Sequence, residues 1–217
     1  MDDPINQYWH LRLQTLKEKL EKNRFEAHVA ADTQEAIHIA TQQIMPALSP
    51  ASISWGGSMT FAKSGLYHLL KEGDGFEFLD TFDKSLSAAE GLERRRQALL
   101  VDLFITGTNA VTEKGQLVNL DMIGNRVAAL TFGPKTVIVM VGRNKIVADI
   151  EAAMARIREY AAPTNVMRLN KQNPCLKTGR CHDCSSPDRI CNNWTITEKA
   201  FPQGRIKVIL INQDLGL

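Results

Sequence analysis

The chain has 217 residues, 44% hydrophobic and 23% charged, enough for one domain with a full core and a small appendage. With 26 basic against 24 acidic residues it carries no field suited to nucleic acid or an acidic membrane surface. No uncharged apolar run approaches the roughly 20 residues that span a bilayer, and the acidic start Met1-Asp2-Asp3-Pro4 is unlike a signal peptide, so a cytoplasmic protein without membrane insertion is expected.

Tyr8 to Lys22 reads as an amphipathic helix with Leu13, Leu16 and Leu20 on one face. Asp32-x-x-Glu35 is a capping-box pattern, opening a helix that carries Ile37, Ala40 and Ile44 inward until Pro46 ends it. Ile53-Ser54-Trp55 is a short strand that turns through Gly56-Gly57-Ser58 into a helix from Met59 to Lys71. Phe76 to Leu79 is predicted as strand, Ser85 to Leu100 as a charged helix bearing Arg94-Arg95-Arg96, and Val101 to Thr106 as strand again. Gln116 to Asn119 fits a shorter strand. The apolar run Thr136 to Val141 is the expected central strand, passing through Gly142 into a helix with Ile146, Ile150, Met154, Ile157 and Tyr160 on one face. Helical character stops after Pro163, and Arg205 to Ile211 reads as a last strand able to rejoin the sheet. Strands alternating with helices, the strongest strand apolar on both faces, predict an α/β fold: a mostly parallel sheet with helices on both sides.

The four cysteines form one pattern, Cys175-x5-Cys181-x2-Cys184-x6-Cys191, inserted before the last strand. Pro174, Gly179, Asp183, Ser185, Ser186, Pro187 and Asn192 surround them, a loop composition that cannot bury a core of its own. In a reducing compartment such thiols bind metal rather than pair as disulfides. Cys175, Cys181, Cys184 and Cys191 are therefore expected to hold one centre bound by all four thiolates, a 4Fe–4S cluster or zinc, which spacing does not separate. His182 would stand beside the ligands, and Lys177, Arg180 and Arg189 would offset their charge. A redox-active Cys181/Cys184 dithiol is a third reading, without the strand-then-helix setting such sites use.

Other segments suit a small anion. Gly56, Gly57 and Ser58, with Thr60 behind them, stand at a strand-to-helix junction where backbone N–H groups can meet negative charge, or where Ser58 simply caps the helix. Thr106, Thr108 and Asn109 follow the carboxyl end of a strand, where ligands gather in open α/β sheets. Glu113 is the best-placed carboxylate for a base or nucleophile, with Asp121 next, although Glu113-Lys114-Gly115 equally fits a solvated hairpin turn and Asp121 a helix cap. Asn125-Arg126 and Asn144-Lys145 bring amides and cations to strand ends, where Arg126 and Lys145 can clamp a carboxylate or phosphate or remain ordinary surface charges. His10, His28, His38 and His68 do not cluster, and Trp9, Trp55 and Trp194 read as packing residues.

The block Thr106-Gly-Thr-Asn-Ala-Val-Thr-Glu-Lys-Gly-Gln-Leu-Val-Asn-Leu-Asp-Met-Ile-Gly-Asn-Arg126, followed by Gly133-Pro134 and Gly142-Arg-Asn-Lys-Ile-Val147, resembles the LUD (lactate-utilisation) domain family. Trp55-Gly-Gly-Ser-Met-Thr60 fits the same family, and the segment from Pro174 to Cys191 looks like the cysteine-bearing tail of one branch. The resemblance implies a Rossmann-like fold related to CoA transferases, sugar-phosphate isomerases and 5-formyltetrahydrofolate cyclo-ligase. It also implies an association with oxidation of lactate to pyruvate beside iron–sulfur partner proteins. The expectation is one LUD-type domain over residues 1–217, with 173–194 as its metal-binding loop. It would act on lactate or another 2-hydroxy acid as subunit or accessory of an oxidising system, and homo-oligomers are compatible with it. Two alternatives stand beside it: a stand-alone transferase- or isomerase-like enzyme using Glu113 on a phosphorylated or CoA-activated metabolite, and a non-catalytic, metal-stabilised binding module.

Overall fold

The computed structural model describes residues 4–217, so the acidic start at Met1 to Asp3 lies outside the described residues. In chain order the strands are β1 (Glu26–Ala30), β2 (Ser52–Trp55), β3 (Glu77–Leu79), β4 (Leu103–Gly107), β5 (Ala110–Thr112), β6 (Leu117–Asp121), β7 (Thr136–Gly142), β8 (Ile146–Val147), β9 (Asn193–Thr197) and β10 (Ile206–Ile211). Six of them make one sheet in the order β1-β10-β7-β4-β2-β3, and every pairing in it is parallel. A smaller mixed sheet, β8-β5-β6-β9, stands beside it.

Every residue of β4, β7 and β10 is buried, as expected of central parallel strands covered on both faces. Their side chains alternate between two cores. Val137, Val139 and Val141 pack with Leu13, Leu16 and Leu20 of the Pro4–Lys22 helix. Ile138 and Met140 face Ile39, Ile44, Phe61 and Leu66 on the other side. Burying each such leucine contributes about 1.5–3 kcal/mol relative to leaving it exposed. A third, smaller core lies under the mixed sheet, where Ala110, Val118 and Leu120 meet Ala153, Ile157 and Ala162.

The helices do not stop where their prolines suggested. The Thr33–His38 helix widens into a π-helical segment, Ile39–Ile44, and resumes as Met45–Leu48 through Pro46. The Ile150–Arg156 helix does the same through Ile157–Ala161 and resumes as Ala162–Leu169 through Pro163. A proline inside a helix lacks the N–H and crowds the carbonyl four residues back. A wider turn just ahead of it relieves that crowding, so the chain continues. Each resumed helix ends instead on a left-handed residue, Ser49 at φ 45° and Asn170 at φ 50°.

Three further differences matter. Gly65, at φ 90°, divides the expected Met59–Lys71 helix into Met59–Ser64 and Leu66–Glu72. Ile146 belongs to β8, beside Val111 of β5, and the next helix opens only after Asp149 caps it by accepting from Ala152 N at 2.8 Å. The cysteine segment leads into β9, which pairs antiparallel with β6 before the chain rejoins the main sheet as β10 between β1 and β7.

Candidate functional site

From β2 the chain passes outward to β3, then returns past β2 to form β4. That reversal is where loops diverge and a crevice opens at the carboxyl ends of the strands. A cleft of about 710 Å³ lies there. Gly57 and Ser58 after β2, Thr108 and Asn109 after β4, and Lys145 after β7 all line it. Its side chains bring six cations, Lys84, Arg95, Arg126, Lys145, Arg168 and Lys171, against the carboxylates of Asp83 and Asp121.

Lys145 is the most unusual of these groups. It is only 4% exposed, and its Nζ donates to Thr60 Oγ1 at 2.7 Å and to the Thr108 carbonyl at 3.0 Å. Among the described residues no carboxylate pairs with it. Burial, reinforced by the neighbouring charges of Arg156 and Arg126, pulls its pKa from 10.5 down to about 7.

Arg126 is also buried, but it is fully satisfied. Its Nε donates to Asp121 Oδ1 at 3.3 Å, one terminal nitrogen to the Gly107 carbonyl and Asn119 Oδ1, the other to Asn109 Oδ1 and the Leu120 carbonyl. All five N–H bonds of the guanidinium are thereby used. Arg126 shapes the loop after β4 and adds charge, without a donor left for a ligand. Asn109 is held from both sides, since its Oδ1 also accepts from Leu120 N at 3.0 Å and its carbonyl from Arg156 at 2.8 Å.

The remaining residues singled out in the sequence fall in three places. Gly57, Ser58, Thr108, Asn109, Asn125, Arg126 and Lys145 meet at the cleft. Gly56, Thr60, Thr106 and Asn144 lie behind it. A side-chain carbon at Gly56 would stand 2.9 Å from the Phe104 ring, so this glycine serves close packing, whereas Gly57 has open space around it. Ser58 caps the Met59–Ser64 helix, accepting from Phe61 N at 3.2 Å. Thr106 Oγ1 is buried in β4 with no partner among the described residues, and Asn144 Oδ1 accepts from Leu215 N at 3.0 Å. Glu113 is the outlier. It sits on the turn joining β5 to β6, about half exposed, with its carboxylate paired to Arg12 of the N-terminal helix. Asp121 does not cap the helix as the alternative expected: the Asn125–Thr131 helix opens on Gly124 without a side-chain cap, and Asp121 accepts from Gly124 N at 2.9 Å and pairs with Arg126.

Sequence reasoning missed Arg95, Arg156, Arg168 and Lys171. The first arrives from the Ala88–Gln97 helix and the others from the long helix and loop after β8. Nothing local distinguishes them from solvated charges; only the π-helical segment at Ile157–Ala161, whose residues Ile157 and Ala161 line the cleft, marks that helix as unusual.

The four cysteines line one small cavity together with Asn173, Arg189, Ala162 and Pro163. Their sulfurs are free of disulfides. Asn173 Nδ2 approaches Cys184 Sγ at 3.6 Å, and Asp183 N approaches Cys181 Sγ at 3.4 Å. The Ser186 backbone N–H and Asn173 lower the Cys184 pKa, while burial pushes Cys191 up to about 11 with the other three thiols adding to it. In this arrangement no three His, Cys, Asp or Glu side chains among the described residues reach a common ion. The donor chemistry suits a thiophilic centre, and the sulfurs surround one space without closing on a point. Cys191 and Ala162 belong to this cavity and to the larger cleft alike.

No helix among the described residues is long and apolar enough to cross a membrane. Among curated proteins nothing matches the chain. A crystal structure titled as a DUF162 family protein from Deinococcus radiodurans shares the fold, with a TM-score of 0.51 at 14% identity over 94% of this chain and 98% of that one. The family model described as LUD domain matches residues 13–211. With the parallel sheet and the crevice at its reversal point in place, that match over most of its length shows that this chain belongs to the LUD domain family.

Proposed function

We propose that the cleft binds a small organic acid of the 2-hydroxy or 2-oxo class, and that the protein serves lactate or related 2-hydroxy-acid utilisation in the cytoplasm as subunit or accessory of an oxidising system. The observation that carries this is Lys145, a buried nitrogen with no carboxylate partner at the head of a cation-rich cleft. An arriving carboxylate would balance the surplus of cations on this wall, six against the carboxylates of Asp83 and Asp121, and a charge-assisted contact in a buried site is the strong kind. Family membership supports the choice of lactate-type acids over other anions. Glu113, exposed and already paired, has no part in this reading.

Cys175, Cys181, Cys184 and Cys191 would hold the metal or cluster, with Asn173 and Arg189 beside them. A 4Fe–4S cluster supplies one-electron transfer, whereas zinc supplies structure alone. Iron–sulfur partner proteins follow from the first case.

Thermal unfolding of the purified protein with lactate, pyruvate, phosphate or CoA esters tests the cleft. A ligand at 100 times its Kd adds about 2.7 kcal/mol, which raises Tm by roughly 5–10 °C in a chain of this size. Lactate or pyruvate is expected to give that rise in the wild type and none in Lys145→Met. Stabilisation by phosphate or CoA esters alone would replace the proposed substrate class. Iron and zinc analysis of protein purified without oxygen decides the nature of the cysteine centre.

A further inference from the structure

The two acceptors around Lys145 are both ones to which it must donate. Thr108 offers a carbonyl, which only accepts. Thr60 offers a hydroxyl whose own proton is directed to the Leu215 carbonyl at 3.1 Å, so towards Nζ it accepts. A neutral amine has two N–H bonds and one lone pair. The site supplies two acceptors and, among the described residues, no third. An ammonium would leave its last proton unmatched, in a wall that already holds the guanidinium groups of Arg126 and Arg156. Lowering of the Lys145 pKa to about 7 agrees with that count. Lys145 lines the cleft, and its two acceptors leave one tetrahedral position of Nζ without a protein partner among the described residues. Gly216, at φ 81°, packs closely against this group: a side-chain carbon there would stand 2.4 Å from Thr60 Oγ1 and 3.2 Å from Nζ, so any larger residue would crowd the amine.

We propose that Lys145 is a nucleophile that captures a 2-oxo acid, the oxidised partner of a 2-hydroxy acid, as an imine. This rests on the cleft being a site for small acids. The Nζ lone pair attacks the C2 carbonyl carbon, forming the N–C bond while the carbonyl π electrons move to oxygen. The two amine protons pass to that oxygen, which leaves as water, and the C=N bond closes. The step consumes no oxidant or reductant. A 2-hydroxy acid has no carbonyl at C2 and is bound without capture, so the same site distinguishes the reduced from the oxidised acid.

The test is reductive trapping of the wild-type protein with pyruvate and cyanoborohydride, followed by peptide mass mapping, with thermal unfolding in parallel. The expected result is one adduct on the Lys145 peptide, heavier by pyruvic acid less one oxygen, forming readily at about pH 8, where an ordinary lysine of pKa 10.5 is protonated. Lactate should compete without forming an adduct. Stabilisation by pyruvate with no adduct at Lys145 would overturn the imine and leave the acid site standing. Adducts spread over exposed lysines, with Lys145 unmodified, would also overturn it. Neither stabilisation nor adduct would remove both readings. Because the label is located in the unmodified chain, no variant has to fold for the result to count.

Discussion

Lys145 and Arg126 are buried cations on the wall of one cleft, and the protein treats them in opposite ways. Arg126 has a carboxylate and four further acceptors; Lys145 has two acceptors and two cationic neighbours. Removing the guanidinium therefore strands acceptors on Asn109, Asn119, Gly107 and Leu120. Arg126→Met is expected to cost about 3–5 kcal/mol in urea unfolding, the range for breaking a buried, hydrogen-bonded charge pair. For Lys145 the sign is reversed and depends on pH. Its folded pKa, about 7, lies below the 10.5 of the unfolded chain, so between those values the unfolded state holds the extra proton. Its contribution to stability is thus lowest below pH 7 and improves as pH rises towards 10.5. Lys145→Met escapes this dependence. Its advantage over wild type should be greatest at about pH 6 and shrink by about pH 9.5, measured as the difference in unfolding free energy.

The elements clearest in the sequence were those with continuous or regularly spaced apolar residues. β4, β7 and β10 are largely apolar and buried along their whole length, and the Pro4–Lys22 helix shows Leu13, Leu16 and Leu20 at helical spacing. What escaped depends on contacts between distant segments. β9 is only half buried, so Trp194 and Ile196 give no clean alternation, and its pairing with β6 links residues more than 70 apart. The helices run through Pro46 and Pro163 because a π turn just ahead of each relieves its crowding, an accommodation that a proline in the sequence does not by itself announce. The candidate site divides in the same way: Thr108, Asn109 and Lys145 declare themselves at strand ends, whereas Arg95 and Arg168 come from helix faces that look like solvent-facing ones. The segment between Leu169 and β9 contains one short helix, Cys175–Thr178, and little apolar burial. If the cysteines hold the proposed centre, the order of this segment should follow it. Stripping the protein with a chelator is expected to expose 176–190 to protease while the two cores stay intact, which fragment masses would show; equal resistance before and after would mean the loop holds itself.

At the scale of the whole molecule, sheet order decides where chemistry can occur. The outward step to β3 and the return to β4 open one crevice, and the loops after β2, β4 and β7 reach it together. A three-carbon acid fills a small part of about 710 Å³, so the cleft, with Arg95, Arg168 and Lys171 also on its wall, has room for a longer anionic molecule. The cleft also has a neighbour. Cys191 and Ala162 form a partition with the cleft on one side and the thiol cavity on the other. Filling one side is therefore expected to alter access to sulfur on the other, so in metal-stripped protein the rate at which an alkylating reagent consumes Cys191 should change when the cleft is occupied, readable without knowing the reaction at all.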